Sequence, residues 1–326
     1  MVILMIHSQH YNIYIASDVK DGAIYFYQMN DEEKPVFVQK TALERPQYMC
    51  VYDDKLYALL RDEENNGSLV SFDMDCSGEL INRSKPISTL GKVACHLCCD
   101  NGNVYAANYI SGSVIKMPNR LVCHNGRSVH PTRQTSPHTH FVSVTPDEKY
   151  IAVADLGIDK IMVYDKELNF VSSAAVPKGH GARHFVFSDN GKNAFCANEL
   201  GSSVSVFDYD DGVLSLKETV STLFIENKNN FPSAIRFLNG YLYVANRGDN
   251  SISIFKFNNN KLVLENVVSC GGENPRDINI FGNILVCVNQ DSDNVTFYKI
   301  SNDFIDKIDF ELKIKKAFCV VGGIRK

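Results

Sequence analysis

The sequence predicts an all-β protein: a seven-bladed β-propeller with four-stranded blades, occupying residues 1–326 as a single domain. Three observations predict it. One strand motif recurs seven times, a further apolar strand precedes most copies, and the two termini complement each other.

The seven copies are IYIASDVKDGAIYFYQ (13–28), LYALLRDEENNGSLVSFD (56–73), VYAANYISGSVIKM (104–117), IAVADLGIDKIMVYD (151–165), AFCANELGSSVSVFD (194–208), LYVANRGDNSISIFK (242–256) and LVCVNQDSDNVTFYK (285–299). Their fifth residues are Ser17, Leu60, Asn108, Asp155, Asn198, Asn246 and Asn289, spaced by 43, 48, 47, 43, 48 and 43. Each copy is a short apolar strand, a polar turn and a strand of alternating β-branched and aromatic residues, a period-two pattern that excludes helix. Ahead of most copies stands another strand ending in a tight turn, as in HFVSVTPDEKY, HFVFSDNGKN, AIRFLNGY and DINIFGN. The Pro-Asp, Asn-Gly and Gly-Asn pairs there are hairpin signals. A more polar segment such as LSLKETVSTL follows each copy, making four strands per repeat. The chain opens on what would be a blade's second strand, and AFCVVGG (317–323) supplies the missing first, so one blade is completed from both ends and the ring has no free edge. Trp is absent, and with it the signature of WD repeats.

Composition narrows the function. With 44% hydrophobic and 22% charged residues the chain is globular, and a formal charge of -5 without a basic stripe excludes nucleic acid as a partner. The opening MVILMIHSQHYN has a six-residue apolar run but no basic region or cleavage site, so it is not read as a signal peptide. No stretch reaches the eighteen apolar residues of a membrane span, and a cytoplasmic protein is expected. Among ten cysteines, Cys95, Cys98 and Cys99 surround His96, but the second ligand pair a structural zinc needs is represented only by Cys123 and His124. Cys50, Cys95, Cys196, Cys287 and Cys319 therefore read as small apolar fillers.

If a blade's strands are named A to D from the axis outward, the start of A and the end of B share one end of the blade and ring one mouth of the channel. The A-starts hold His138 and His140 in SPHTH, Arg183 and His184 in GARH, and Arg276 and Asp277 in NPRD. The B-ends hold Asp155, Asn198 with Glu199, Asn246 with Arg247, and Asn289 with Gln290. Three arginines in an acidic protein suit a carboxylate or phosphate, with Glu199 and His140 available for proton transfer. His138 reads as rim or support. His184, next to Arg183, is expected to point away into the packing between blades. The run Asp291, Ser292, Asp293 and Asn294 lacks the glycine and glutamate of a calcium loop and reads as a solvated turn. There is no Gly-x-Ser-x-Gly elbow, Walker loop, dinucleotide fingerprint or His-Glu-x-x-His, so neither cofactor nor metal is expected.

The segments SPHTHFVSVTPDEKYIAVADLGIDKIMVYD, GARHFVFSDNGKNAFCANELGSSVSVFDYDDG, YLYVANRGDNSISIF and NPRDINIFGNILVCVNQDSDNVTFY resemble the lactonase family of seven-bladed propellers, which contains a bacterial 6-phosphogluconolactonase and fungal carboxymuconate cyclases. The resemblance is densest from His138 to Tyr298. It implies catalytic roles for His140, Arg183, Glu199 and Arg247, with Arg276 adjoining; from their places at the mouth, Arg276, His138, Asn198 and Gln290 are expected to bind substrate. It also implies hydrolysis of a sugar lactone, foremost 6-phosphogluconolactone in the pentose phosphate pathway, with Glu199 or His140 as base. Two departures stand out: Ala182 replaces the proline of a Gly-Pro-Arg-His motif, and the turn after Arg236 lacks Pro-Asp. A muconate-type dicarboxylate or another lactone fits the same residues, and a non-enzymatic interaction propeller is the remaining alternative.

Overall fold

The computed structural model describes residues 9–30, 34–301 and 304–325, so the apolar run at 1–6 lies outside the described residues. Strands form seven sheets, each four deep apart from one interruption, and no helix occurs among the described residues. Blade one joins the chain ends: Ala317–Ile324 is its innermost strand, followed outward by His10–Ser17, Ala23–Asn30 and Val36–Ala42. Blades two to seven follow in order, with innermost strands Pro46–Tyr52, Ala94–Asp100, Thr139–Val144, Ala182–Phe187, Phe231–Leu238 and Pro275–Phe281. The exception is blade two, whose outer strand is split into Leu80–Ile81 and Ile87–Lys92. Pro86 lies in the gap, where a residue without an N–H cannot continue a ladder.

The Asn-Gly signal acts as expected. Leu238 pairs with Tyr241 across Asn239 and Gly240, which have φ of 50° and 82°. Positive φ at both central residues matches the right-handed twist of the strands they join.

The core is distributed between blades. One cluster packs Phe195, Val204 and Val206 of blade five against Ile235, Val244 and Phe255 of blade six, and another packs Ile13 and Ile15 of blade one against Val286 and Phe297 of blade seven. Each sheet buries both faces on its neighbours, so the innermost strands lose their freedom and become a rigid base for polar groups.

All seven innermost strands share one irregularity. The first residue of each, or the second in blade six, pairs with the fifth residue of the sequence repeat: Ala317 with Ser17, Pro46 with Leu60, Ala94 with Asn108, Thr139 with Asp155, Ala182 with Asn198, Pro232 with Asn246, and Pro275 with Asn289. The register then slips. The bulge falls at Phe318, Gln47, Cys95, His140, Arg183, Ser233 with Ala234, and Arg276. A bulge re-aims the side chain it carries, so the fold offers one such position per blade around a single mouth.

Candidate active site

The site is built from these bulges and from the residue just after each repeat's fifth. Glu199 is its centre. The backbone of Glu199 donates to Gly181 O at 2.8 Å, which holds the end of one strand against the start of its neighbour. Its carboxylate receives three guanidiniums: Arg183 Nε donates to Oε2 at 3.0 Å, Arg133 Nη2 donates to Oε1 at 2.6 Å, and Arg247 Nη2 lies 2.7 Å from Oε2. The last is an ion pair without hydrogen-bond geometry, and Arg247 Nη2 has no hydrogen-bond acceptor among the described residues.

Burial raises the Glu199 pKa, but Arg247, Arg183 and Arg133 outweigh it and hold the carboxyl well below the usual range. It is an anion at every physiological pH, and a weak base. Arg183 is 2% exposed and donates its Nη1 to Ser233 O at 2.5 Å, so it is fixed at both ends despite the Ala182 departure. Burial pulls its pKa down to about 9, with Arg247 and Arg276 adding to the fall. Arg276 is lowered to about 10 by burial and then by Arg247; its guanidinium rests 4.5 Å above the Phe318 ring. Burial is the larger cause of both depressions and repulsion between the arginines adds to it, at a mouth where Arg133, Arg183, Arg247 and Arg276 face the one carboxylate of Glu199.

His140 is buried, and its Nδ1 has no partner among the described residues. Burial, then the Arg183 charge, keeps its pKa well below the ordinary histidine value, so the ring is neutral and Nδ1 or Nε2 offers a lone pair. Its edge meets Tyr109 at 5.4 Å, and Tyr109 stacks at 4.6 Å on His138, whose Nδ1 pairs with Tyr109 O at 3.0 Å. His138 and His140 thus share one tyrosine. Cys95 occupies the bulge of blade three, where burial pushes its thiol up to about 12, leaving it protonated and unsuited to nucleophilic attack.

The other expected residues divide. Asn198 is fully buried and spends its Nδ2 on Ser203 Oγ and Ser205 Oγ at 3.0 and 2.9 Å. Asn246 and Asn289 bond hydroxyls of the next strand in the same way, Ser251 and Ser253 for the first and Thr296 for the second. In these three blades the repeat's fifth position is therefore a structural tie, and the following residue is the one near the mouth. Gln290 stays partly exposed, and its Oε1 accepts from Asn274 at 3.4 Å. His184 corrects the expectation of simple packing between adjacent blades. It lies in an axial cluster with His96 at 5.3 Å, His140 at 5.4 Å, Phe141 at 5.1 Å and Tyr48, from blade two, at 6.1 Å. The bulge at Arg183 shifts the alternation, so both Arg183 and His184 remain near the axis.

Sequence reasoning missed Arg133 and Tyr109. Arg133 belongs to the connection at 124–138 between blades three and four, outside the repeat, where no strand register predicts direction. The signal available was a long loop carrying cationic residues in an acidic protein. Among the described residues no three His, Cys, Asp or Glu side chains converge as a metal site.

A profile of the lactonase seven-bladed β-propeller family matches residues 12–321. The chain belongs to that family. A relative from Staphylococcus aureus (strain USA300), itself uncharacterized, is 32% identical over 315 residues, covering 87% of this chain and 91% of its own. Among solved structures, a Bacteroides uniformis protein with the provisional name 6-phosphogluconolactonase has a TM-score of 0.90 at 25% identity, with 97% of this chain and 100% of that one covered. A Lactobacillus plantarum protein reaches 0.85 at 26% identity, covering 97% and 99%. A periplasmic gluconolactonase from Pseudomonas aeruginosa shares the fold at 22% identity and a TM-score of 0.85, covering 96% and 99%.

Proposed function

We propose that this lactonase-family propeller hydrolyses a phosphorylated sugar lactone, 6-phosphogluconolactone to 6-phosphogluconate, without cofactor or metal. One observation carries the reading: four arginines converge on a mouth holding one carboxylate, beside a neutral histidine with an unpartnered ring nitrogen. The excess cation calls for an anionic substrate.

In this reading Glu199 is a scaffold. Its oxygens are taken up by Arg183, Arg133 and Arg247, whereas the neutral His140 ring keeps an unpartnered nitrogen, so His140 is the general base. His140 takes a proton from water as the water oxygen bonds to the lactone carbonyl carbon. Arg247, whose Nη2 lacks a hydrogen-bond acceptor, stabilises the developing oxyanion, and Arg183 fixes Glu199 against it. Collapse breaks the bond to the ring oxygen, which takes the proton from His140 and leaves as the product hydroxyl. Arg276 holds the anionic tail, and His138 with Tyr109 supports the His140 ring. Positioning and charge stabilisation suffice for so reactive an ester. The family supports a small lactone as substrate. Ten free thiols suit a reducing compartment, so we place the enzyme in the cytoplasm.

The test is hydrolysis of freshly generated 6-phosphogluconolactone, with the product followed by coupled oxidation, with and without chelator. A protein-dependent rate indifferent to chelator is expected. A rate equal to the spontaneous background sinks the reading.

A further inference from the structure

The connection at 124–138 lies outside the repeat and forms an arm that reaches the mouth. It is pinned where it leaves blade three: His124 Nδ1 meets Asp155 Oδ2 at 2.7 Å, both side chains buried. It is pinned again by Asp159, 3% exposed. Asp159 accepts from Ser128 Oγ at 2.5 Å and Gln134 Nε2 at 2.7 Å, both on the arm. The same carboxylate accepts from the backbone N–H groups of Gly179 and Gly181 at 2.7 and 2.6 Å, in the turn that leads into Arg183. Gly181 has φ of +70°, and an added Cβ would come within 2.9 Å of Leu200, so the turn tolerates little else there. One buried carboxylate thus joins the arm to the strand that carries Arg183.

Between the two pins the arm delivers Arg133. Its Nη2 donates to Glu199 Oε1 and to Tyr109 Oη, at 2.6 and 3.1 Å. A guanidinium has five N–H groups, so Nε and Nη1 keep three, with no acceptor among the described residues. The Arg133 side chain is 39% exposed, against 2% for Arg183 and 14% for Arg247. Glu199 carries one negative charge and already has those two cations, so Arg133 is surplus to it and the most accessible of the three.

We propose that Arg133 is a specificity-determining residue that binds the phosphate of a phosphorylated ligand at the mouth, and that Asp159 is the positioning residue that holds Arg133 there. This rests on the phospholactone reading, which names the ligand class. The planar fork suits a phosphate dianion, and Arg276 provides the second accessible cation.

The experiment is calorimetric binding of 6-phosphogluconate and of gluconate to the full chain, as wild type and as R133Q, R133K and D159N. R133Q is expected to weaken 6-phosphogluconate by roughly tenfold or more, with gluconate changed by about twofold at most. R133K keeps the charge, loses the fork and recovers part of the loss. D159N shows the same selective loss; a merely structural role would weaken both ligands together. Equal binding of both ligands by the wild type, binding of neither, or parallel losses in R133Q would each overturn the proposal. R133Q alters a half-exposed side chain and keeps the test valid should D159N fail to fold. Lactone hydrolysis by the wild type is measured separately: selective binding without hydrolysis sinks the hydrolase reading and leaves the arm's role intact.

Discussion

Blades four to seven and blades one and two use the same two backbone positions at the mouth, the bulge and the residue after the repeat's fifth, and arrange charge on them differently. In blades one and two those positions hold Phe318, Gln47, Asp18 and Arg61. Arg61 Nη2 lies 3.3 Å from Asp18 Oδ2, and Gln47 Nε2 donates to Asp18 Oδ1 at 2.8 Å. The pair closes on itself. In blades four to seven the charged or imidazole groups at these positions are His140, Arg183, Arg276, Glu199 and Arg247, and the arm adds Arg133, so cations outnumber the carboxylate. The lesson is that the propeller supplies equivalent, pre-aimed sites, and local charge balance decides which of them can bind. A neutralised arc has nothing further to offer an anion; an arc with surplus charge, held in a low-dielectric setting, does.

That contrast can be broken first at Glu199. E199A removes the common counter-ion of three arginines and leaves Arg183 buried without a partner charge. Lactone turnover should fall beyond detection, with roughly 3–5 kcal/mol of stability lost, read by kinetics and denaturant titration. Wild-type stability would show that the carboxylate is not the arc's keystone.

Next, H140A should lower kcat by about 10²–10⁴. Because burial and Arg183 keep the ring neutral, the wild-type rate should not decline as pH falls through 6.5; a decline there that vanishes in another His variant would reassign the base. R247Q should lower kcat by roughly 10²–10³ if its Nη2 meets the oxyanion, and an effect on KM alone would make it a binding group instead.

The axial histidines make a smaller prediction, on stability. Burial, then neighbouring arginines, lowers the pKa of His96 and His184 well below 6.5, as it does for His140. Below pH 6.5 the unfolded chain takes up protons that the folded one refuses, so stability drops as pH falls from there. The slope is about 1.4 kcal/mol per pH unit for each group, roughly 4 for the three. Glu199, depressed in the fold, adds a loss in the same direction only below about pH 4.5, as pH falls through its folded value. Melting temperatures between pH 8 and 5 check this, and H184Q should flatten the slope by about a third.

The smallest effect belongs to the closed arc. R61Q breaks a partly exposed pair and should cost about 1 kcal/mol or less, with turnover unchanged. A large loss of turnover would mean that both arcs serve the ligand.

The sequence alone determined the architecture, because blade formation rests on local signals that repeat: period-two strands, Asn-Gly turns with positive φ, and a forty-odd-residue spacing that errs only at the split outer strand of blade two. It also determined which end of the blades would be polar, since antiparallel pairing puts strand starts opposite strand ends. It placed Arg183, Glu199, Arg247 and His140 at that end for the same reason. What tertiary structure decided was direction and partnership. The bulge at each innermost strand keeps both Arg183 and His184 near the axis, against strict alternation. Asn198 proved to be a tie within its own blade because its buried amide nitrogen donates to the nearest hydroxyls, Ser203 and Ser205 on the next strand. The sequence marked the loop of Arg133 as long and cationic but could not place it, since a loop without register takes its course from distant anchors such as Asp159. The pKa of Glu199 depends on three guanidiniums from three separate stretches of chain, a sum over space that no stretch of sequence contains.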